Sequence, residues 1–395
     1  MRTVGVEEEL LLFDRQSGEP RALSSAVIAR AAKDSAEDAA AGTASSGADD
    51  GEVPGTDSRP GRSTDYRDPE DEAFEKELHR QQIEFATQPH TDMGDLADEI
   101  RRWRADAARH ADDVGGAVAA LATSPLPASP AVNAGPRFAW MEQQFGLTTR
   151  EQLTCGCHVH VAVESREEGV AVVDRIRSWL AVLVALSCNS PFWQGRDSKY
   201  ASYRSRVWGR WPMAGPAEIF GSAERYDEQV ETMIATGVLR DEGMVYFDAR
   251  LSHRYPTVEI RVADVCLEAG TTVLVAALAR ALVDTAVAEW RAGTPPLGHG
   301  VSVLRLAAWR AARSGLEGPL LHPVTMRPAP AEEVVAALLD HAQGALDANG
   351  DLGMARKFAA GLFEHGTGAR VQRDLLDRTG SLGAVVTECV RRTQA

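Results

Sequence analysis

The stretch "VGVEEELLLF", residues 4–13, sets three consecutive carboxylates inside an otherwise apolar run. Apolar neighbours on both sides imply a buried or half-buried segment, and a buried carboxylate is costly unless it is paired or bound to a cation. Either this is a solvated strand end, or something positive sits against it. Strand side chains alternate between two faces. Glu7 and Glu9 therefore share one face, while Val4, Val6, Leu10 and Leu12 share the other. Glu8 falls among the apolar residues and is the odd one out.

Other segments repeat the pattern. Strands are expected over 78–87 ("LHRQQIEFAT"), 153–163 ("LTCGCHVHVAV") and 256–265 ("PTVEIRVADV"), and 244–251 ("MVYFDARL") should pair with the last across "SHRYP". Gln16-Ser17-Gly18 reads as a hairpin turn. His158 and His160 share a face with Gly156, opposite Cys155, Cys157, Val159, Val161 and Val163. Glu259 and Arg261 share a face, with Val258, Ile260 and Val262 behind. Amphipathic strands usually have plain solvated faces. Here the polar positions are Glu and His, not Lys, Thr and Ser, so a sheet with a core side and a chemical side is expected. "CGCHVH" invites a zinc reading, but alternation points both cysteines away from both histidines.

Helical patterns cover Asp92–Leu121, Glu167–Ser187, Gly270–Ala292 and, with breaks at Pro319, Pro323 and Pro328, Val301 to the end. Strands and helices are segregated, which predicts an α+β fold with a largely antiparallel sheet flanked by helices. The reading is a single catalytic domain over 1–395, with a helical C-terminal part over 301–395.

At 395 residues, 44% hydrophobic and 25% charged, the chain has the composition of a soluble globular protein. Its net charge of −15 disfavours nucleic acid or anionic membrane as partner. Residues 34–72 hold 12 Asp/Glu and 3 Arg, a net of −9, and almost no large apolar residues. A disordered acidic insertion is expected there. The five cysteines are scattered and odd in number, which argues against a disulfide framework. A start without a basic-then-apolar leader, and no apolar run of about 18 residues, predict a cytoplasmic protein with no membrane span. The apolar helix over 173–187 suits the core better than a homo-oligomer interface.

Should Glu7, Glu9, Glu84 and Glu259 meet on one face, each pair about 4 Å apart would repel by roughly 4 kcal/mol at an effective dielectric near 20. Several such pairs would rival a domain's net stability of about 5–15 kcal/mol. Protonation or divalent cations must relieve them. Oxygen ligands with an occasional imidazole suit Mg²⁺ or Mn²⁺. With arginine nearby, such a site fits phosphoryl transfer. No Walker-type or G-x-G-x-x-G phosphate loop occurs.

The segments "TVGVEEEL", "ELHRQQIEFAT", "TCGCHVHV", "ALSCNSPFWQGRDSKYASYRSRVWGRWPMAG" and "PTVEIRVADV" lie in the order found in the glutamate–cysteine ligase type 2 family. The chain most resembles its YbdK-type carboxylate–amine ligases, within the glutamine synthetase superfamily. The resemblance implies a glutamine-synthetase-like catalytic fold, a curved antiparallel sheet lined by Glu and His. It implies Glu7, Glu9, Glu77, Glu84, His158 and Glu259 as metal ligands and Arg261 facing the transferred phosphate. Arg204 and Arg206 would be phosphate or carboxylate clamps, Arg250 a weaker candidate for the same work, and His160 a supporting group. ATP with Mg²⁺ (or Mn²⁺) would activate a small-molecule carboxylate as an acyl phosphate for attack by an amine, with weak glutamate–cysteine ligase activity. The chain departs from the pattern in its 34–72 insertion, in Lys199 where glycine is expected, and in "ATSPLPA" at 122–128. Two other readings remain: a guanidino-kinase-like phosphotransferase, which would form no amide, and a non-catalytic metal- or nucleotide-binding sensor.

Overall fold

The computed structural model describes residues 1–45 and 74–395. Its main sheet has seven strands: β1 (Val4–Asp14), β2 (Glu75–Lys76), β3 (Gln82–Ala86), β4 (Gly116–Ala119), β5 (Gly156–Ala162), β6 (Ala249–Leu251) and β7 (Thr257–Asp264). The order is β2-β3-β1-β5-β7-β6, and every pairing in this sheet is antiparallel. The fold is thus α+β around an antiparallel sheet, as the segregated pattern predicts. Central strand β1 pairs with β5 over Val4–Glu8, with β3 over Glu7–Leu11 and with β4 over Leu11–Asp14. The turn after β1 forms at the expected place, where Asp14 Oδ1 accepts from the backbone N–H groups of Gln16 and Ser17, both at 2.9 Å.

The helices that position the site are α1 (Ser24–Ser45), α2 (Met93–Asp113), α3 (Arg166–Ile176), α4 (Leu180–Ser187), α5 (Arg204–Trp208), α6 (Ala269–Arg291) and α7 (Val301–Ser314). The helix α6 packs against β1, β5 and α2, and its stretch from Thr272 to Val283 is buried throughout. One continuous apolar core joins Val4 on β1 to Cys389 near the C-terminus.

Several sequence expectations are corrected. The helix expected over 92–121 starts at Met93, capped by Asp92, and ends at Asp113. Gly115, at φ +74°, turns the chain back so that Gly116–Ala119 joins the sheet as β4. The helix expected over 167–187 is two helices, α3 and α4, divided at Arg177-Ser178-Trp179. Arg177 is held there by the carbonyl of Ala217, 2.7 Å from its Nε. The expected insertion begins too early, since residues 34–45 continue α1. Ala36, Ala39, Ala40 and Ala41 have the strongest intrinsic helix propensity. The remainder of the expected insertion, 46–72, lies outside the described residues.

The C-terminal part is helical from Ala331–His341 through Leu382–Thr393, but a small hairpin, Leu320–Leu321 with Pro328–Ala329, follows α7. Ala269–Arg291 is, contrary to the sequence expectation, long and apolar enough to cross a membrane. In the fold 78% of its apolar window is buried. Arg280 in its middle is fully buried and pairs with Asp351 at 2.6 Å. Lys199, at φ +65°, occupies the left-handed region that favours glycine, which accounts for the glycine expected at that position.

Candidate active site

The triplet in β1 divides between the two sides of the sheet. Glu8 points into the helical layer and is fully buried. Arg104 of α2 meets it with two hydrogen bonds, Nε to Oε2 and Nη2 to Oε1, both 2.8 Å. The Thr272 hydroxyl of α6 donates to Oε1 at 2.6 Å. Arg104 also donates to the carbonyls of Leu267 and Cys266, at 3.1 and 2.7 Å. This acid is therefore completely paired inside the core, and the positive partner that the sequence calls for is Arg104.

Glu7 and Glu9 face the other way, into a cleft of about 300 Å³. Cross-strand register brings the polar positions into line: Glu9 opposite Glu84, Glu7 opposite His158, and His160 opposite Glu259. Glu77, just after β2, completes the acidic end. Three overlapping groups have possible ligand atoms within 4.8 Å of one another: Glu7, Glu84 and His158; Glu7, His160 and Glu259; Glu9, Glu77 and Glu84. The cleft is confined to one end of the sheet, because Leu11 and Phe13, which continue the Glu7–Glu9 parity, are fully buried.

His158 Nδ1 lies 3.1 Å from Glu7 Oε2, and His160 Nε2 lies 3.2 Å from Glu7 Oε1. Thr257 Oγ1, 3.0 Å from His160 Nδ1, orients that ring. His158 Nε2 is buried without a hydrogen-bond partner. Glu9 Oε2 accepts from the backbone N–H of Gly156 at 2.7 Å. A Cβ on Gly156 would collide with the guanidinium of Arg204, so the glycine of "CGCH" makes room for that arginine.

The electrostatics are those of crowded acids. Burial, reinforced by Glu77, pushes Glu9 up to about 8, against the pull of Arg204, the Gly156 N–H and Arg261. Burial and the neighbouring charges of Glu77, Glu7 and Glu9 raise Glu84 well above the usual carboxylate range. Burial works against ionisation of Glu7, but His160 and His158 hold it well below that range. Burial and the nearby Arg261 depress His158 to about 3, leaving its imidazole neutral. A neutral imidazole with an unpartnered buried nitrogen, among several carboxylates, is a donor set that fits a hard divalent cation.

Glu259 differs from the other acids. Arg250 grips it from β6, Nε to Oε2 at 2.8 Å and Nη2 to Oε1 at 3.3 Å, and Arg261 pairs with it as well. Arg250 also donates to the carbonyl of Val245 at 2.8 Å, so it braces the β6–β7 edge. Opposite Cys157–Val159 the pairing slips by one residue, a β-bulge around Arg261 and Val262 that re-aims the arginine. Arg204 Nη2 lies 3.5 Å from the Arg261 carbonyl. Both guanidiniums lie near the Trp208 ring, their central carbons 5.6 and 5.7 Å from its centroid. Arg206 does not enter the acidic cleft; it lines a neighbouring cavity with Arg204.

Sequence reasoning missed Trp208, Tyr246 and Arg137, which also line the cleft. It also missed Asp264. That carboxylate accepts from the Ser190 and Ser202 hydroxyls at 2.7 and 2.8 Å and from the Asn189 N–H at 2.8 Å. Ser190 Oγ in turn accepts from the Arg204 N–H at 2.9 Å, which fixes the start of α5. The available signal was the placement of Asp264 on the strand that carries Glu259 and Arg261.

The chain matches Glutamate-cysteine ligase family 2 over residues 3–388, and it belongs to that family. This makes it an ATP-dependent ligase that forms C–N bonds between small molecules. It is 62% identical over 394 residues to "Putative glutamate--cysteine ligase 2-1" of Streptomyces avermitilis, with 100% of each chain covered. It is 61% identical to "Putative glutamate--cysteine ligase 2" of Streptomyces coelicolor, again with 100% of each covered. Among solved structures, a glutamate–cysteine ligase from Francisella tularensis in complex with AMP shares the fold at TM-score 0.62 and 12% identity, with 100% of this chain and 88% of that one covered. A bifunctional glutathione synthetase from Pasteurella multocida matches at TM-score 0.61 and 14% identity; the match takes in 99% of this chain and 52% of that longer one.

Proposed function

We propose that the chain joins a small carboxylic acid to an amine through an acyl phosphate, with ATP as phosphoryl donor and Mg²⁺ or Mn²⁺ in the acidic cleft. The carrying observation is the convergence of Glu7, Glu9, Glu77, Glu84 and His158 on one sheet face beside buried Arg204 and Arg261. Those acids and His158 would hold the cation, with Glu259 at the margin next to Arg250. The cation would supply neutralisation of the nucleotide's phosphate charge.

A carboxylate oxygen of the substrate attacks the γ-phosphorus, the bond to the β-phosphate oxygen breaks, and ADP leaves. The amine nitrogen then attacks the acyl carbon, loses a proton, and inorganic phosphate departs as the amide forms. Arg204 and Arg261 stabilise the charge on the transferred phosphoryl group, fixed in place by the Asp264 network and by Trp208. Arg250 and Arg261 hold Glu259 in orientation, and His160 orients Glu7. Glutamate with cysteine is a slow pair within a wider substrate range.

The test is ADP release by the purified chain with Mg²⁺ across pairs of carboxylates and amines, with the amide detected by mass spectrometry. ADP together with a stoichiometric amide supports the reading. ADP with a phosphorylated product and no amide overturns it in favour of simple phosphotransfer, which the comparisons do not favour.

A further inference from the structure

The helix over Gly368–Thr379, α8, buries Ala369, Gln372 and Leu375 on one face. An amphipathic helix normally presents apolar residues there. Gln372 is fully buried and its Oε1 has no hydrogen-bond partner, so its amide oxygen carries an uncompensated desolvation cost. The other amide atom shows what that cost offsets. Nε2 donates twice to Asn189, to the backbone carbonyl at 3.0 Å and to Oδ1 at 2.7 Å.

Asn189 hands the contact on. Its Nδ2 donates to the carbonyls of Ala120 and Val265, both at 2.8 Å, which fixes Oδ1 as the atom that faces Gln372. Its backbone N–H donates to Asp264 Oδ2 at 2.8 Å. The same oxygen accepts from the Ser190 hydroxyl, and Ser190 Oγ accepts from the Arg204 N–H. One chain of hydrogen bonds therefore runs from Gln372 through Asn189, Asp264 and Ser190 to Arg204, and all five residues are buried. The start of α8 is fitted to the same point: a Cβ on Gly368 would collide with Asn189 Oδ1, and the Ala369 N–H donates to the Cys188 carbonyl at 3.0 Å. At the far end the guanidinium of Arg204 is sparsely held among the described residues. Its Nε is unpartnered, and its Nη2 lies 3.5 Å from the Arg261 carbonyl. Its place is thus set largely from the backbone of α5, where the chain of hydrogen bonds arrives.

We propose that Gln372 is a positioning residue for Arg204: through Asn189 and Asp264, α8 sets where that guanidinium meets the transferred phosphoryl group. The inference rests on the ligase reading above, and it gives the C-terminal helices a part in the rate of the reaction.

Gln372→Met keeps the side chain's length and removes the donor. The readout is steady-state ADP release by the full chain with Mg²⁺, L-glutamate and L-cysteine. kcat should fall by roughly ten- to a hundredfold, the scale of a slightly misplaced catalytic group. The affinity for ADP with Mg²⁺, measured by isothermal titration, should not change, because Arg204 meets the transferred group and not ADP. In an Arg204→Lys background Gln372→Met should cost nothing further, since the group it positions is already gone. Gly368→Ala leaves Gln372 in place and pushes Asn189 aside. It should reproduce the loss in kcat, and it serves where Gln372→Met folds poorly. A crystal structure of either variant should show the Arg204 guanidinium displaced from its place beside Gly156. A lowered melting temperature with kcat untouched, an equal loss of kcat in both backgrounds, or an unmoved Arg204 overturns the positioning role and leaves the ligase reading standing. A wild-type chain that releases no ADP and forms no amide with this or any other acid–amine pair overturns the ligase reading, while the crystal structures still decide whether α8 places Arg204.

Discussion

Glu8 and its neighbours Glu7 and Glu9 are one residue apart in sequence and opposite in physical state. Glu8 lies in the core with Arg104 and Thr272 filling its hydrogen-bonding capacity. Glu7 and Glu9 lie against further acids and a neutral histidine, in a cleft whose Arg250 and Arg261 pair with Glu259. The first arrangement stabilises a unique packing of α2 and α6 on the sheet. The second stores repulsion that only a proton or a cation relieves. Strand alternation lets one triplet serve both ends, because adjacent residues face different layers.

The sharpest way to break this contrast is to remove one member of the core pair. Arg104→Ala or Glu8→Ala leaves a buried charge without a partner and should cost about 3–5 kcal/mol in urea unfolding. On the cleft side, Glu84→Gln should leave unfolding unchanged or make it slightly harder, since repulsion falls, while ADP release drops by roughly a hundredfold or more. A Glu84→Gln variant that unfolds as readily as Glu8→Ala would erase the distinction. Glu259 falls between these cases. From alternation alone it reads as one more repelled carboxylate, yet Arg250 and Arg261 both hold it. Glu259→Gln should therefore lose both activity and about 1.5–3 kcal/mol of stability, the worth of hydrogen bonds to a charged group. Full activity in that variant would remove Glu259 from the site.

Alternation in β1, β5 and β7 made the chemical face legible, because a period of two survives wherever one face is buried. What it could not show depends on contacts far apart in the chain. Arg104 sits on a helix, 96 residues from Glu8, and nothing local links them. The strand β4 is only four residues of small side chains, and it reads as the end of the preceding Ala-rich helix until Gly115 breaks it. Arg206 lies away from Arg250 because the short helix α5 presents Arg204, Ser205 and Arg206 together to the neighbouring cavity, and of its residues Trp208 alone also lines the acidic cleft. The cavity that Arg204 and Arg206 line is assembled from α3–α4, α5, α7 and the β7 bulge, and no one of these segments announces it.

The finest test of the contrast uses pH. In the unfolded chain Glu9 titrates near the ordinary glutamate value of 4.5, and in the fold burial and Glu77 push it up to about 8. Below 4.5 both states carry the proton, and above about 8 neither does. Between these limits the folded state binds a proton that the unfolded state has released. Stability must then fall as pH rises, by at most about 1.4 kcal/mol per pH unit for this one group. Glu9→Gln keeps the acceptor for the Gly156 N–H but cannot ionise, so its stability should fall less steeply over the same window. Mg²⁺ should flatten the wild-type slope and leave the variant's nearly unchanged, and its binding should release protons into the buffer. Parallel profiles for wild type and Glu9→Gln, with and without Mg²⁺, would mean that the cleft acids are not strained and that the two sides of β1 do not differ in the way their geometry requires.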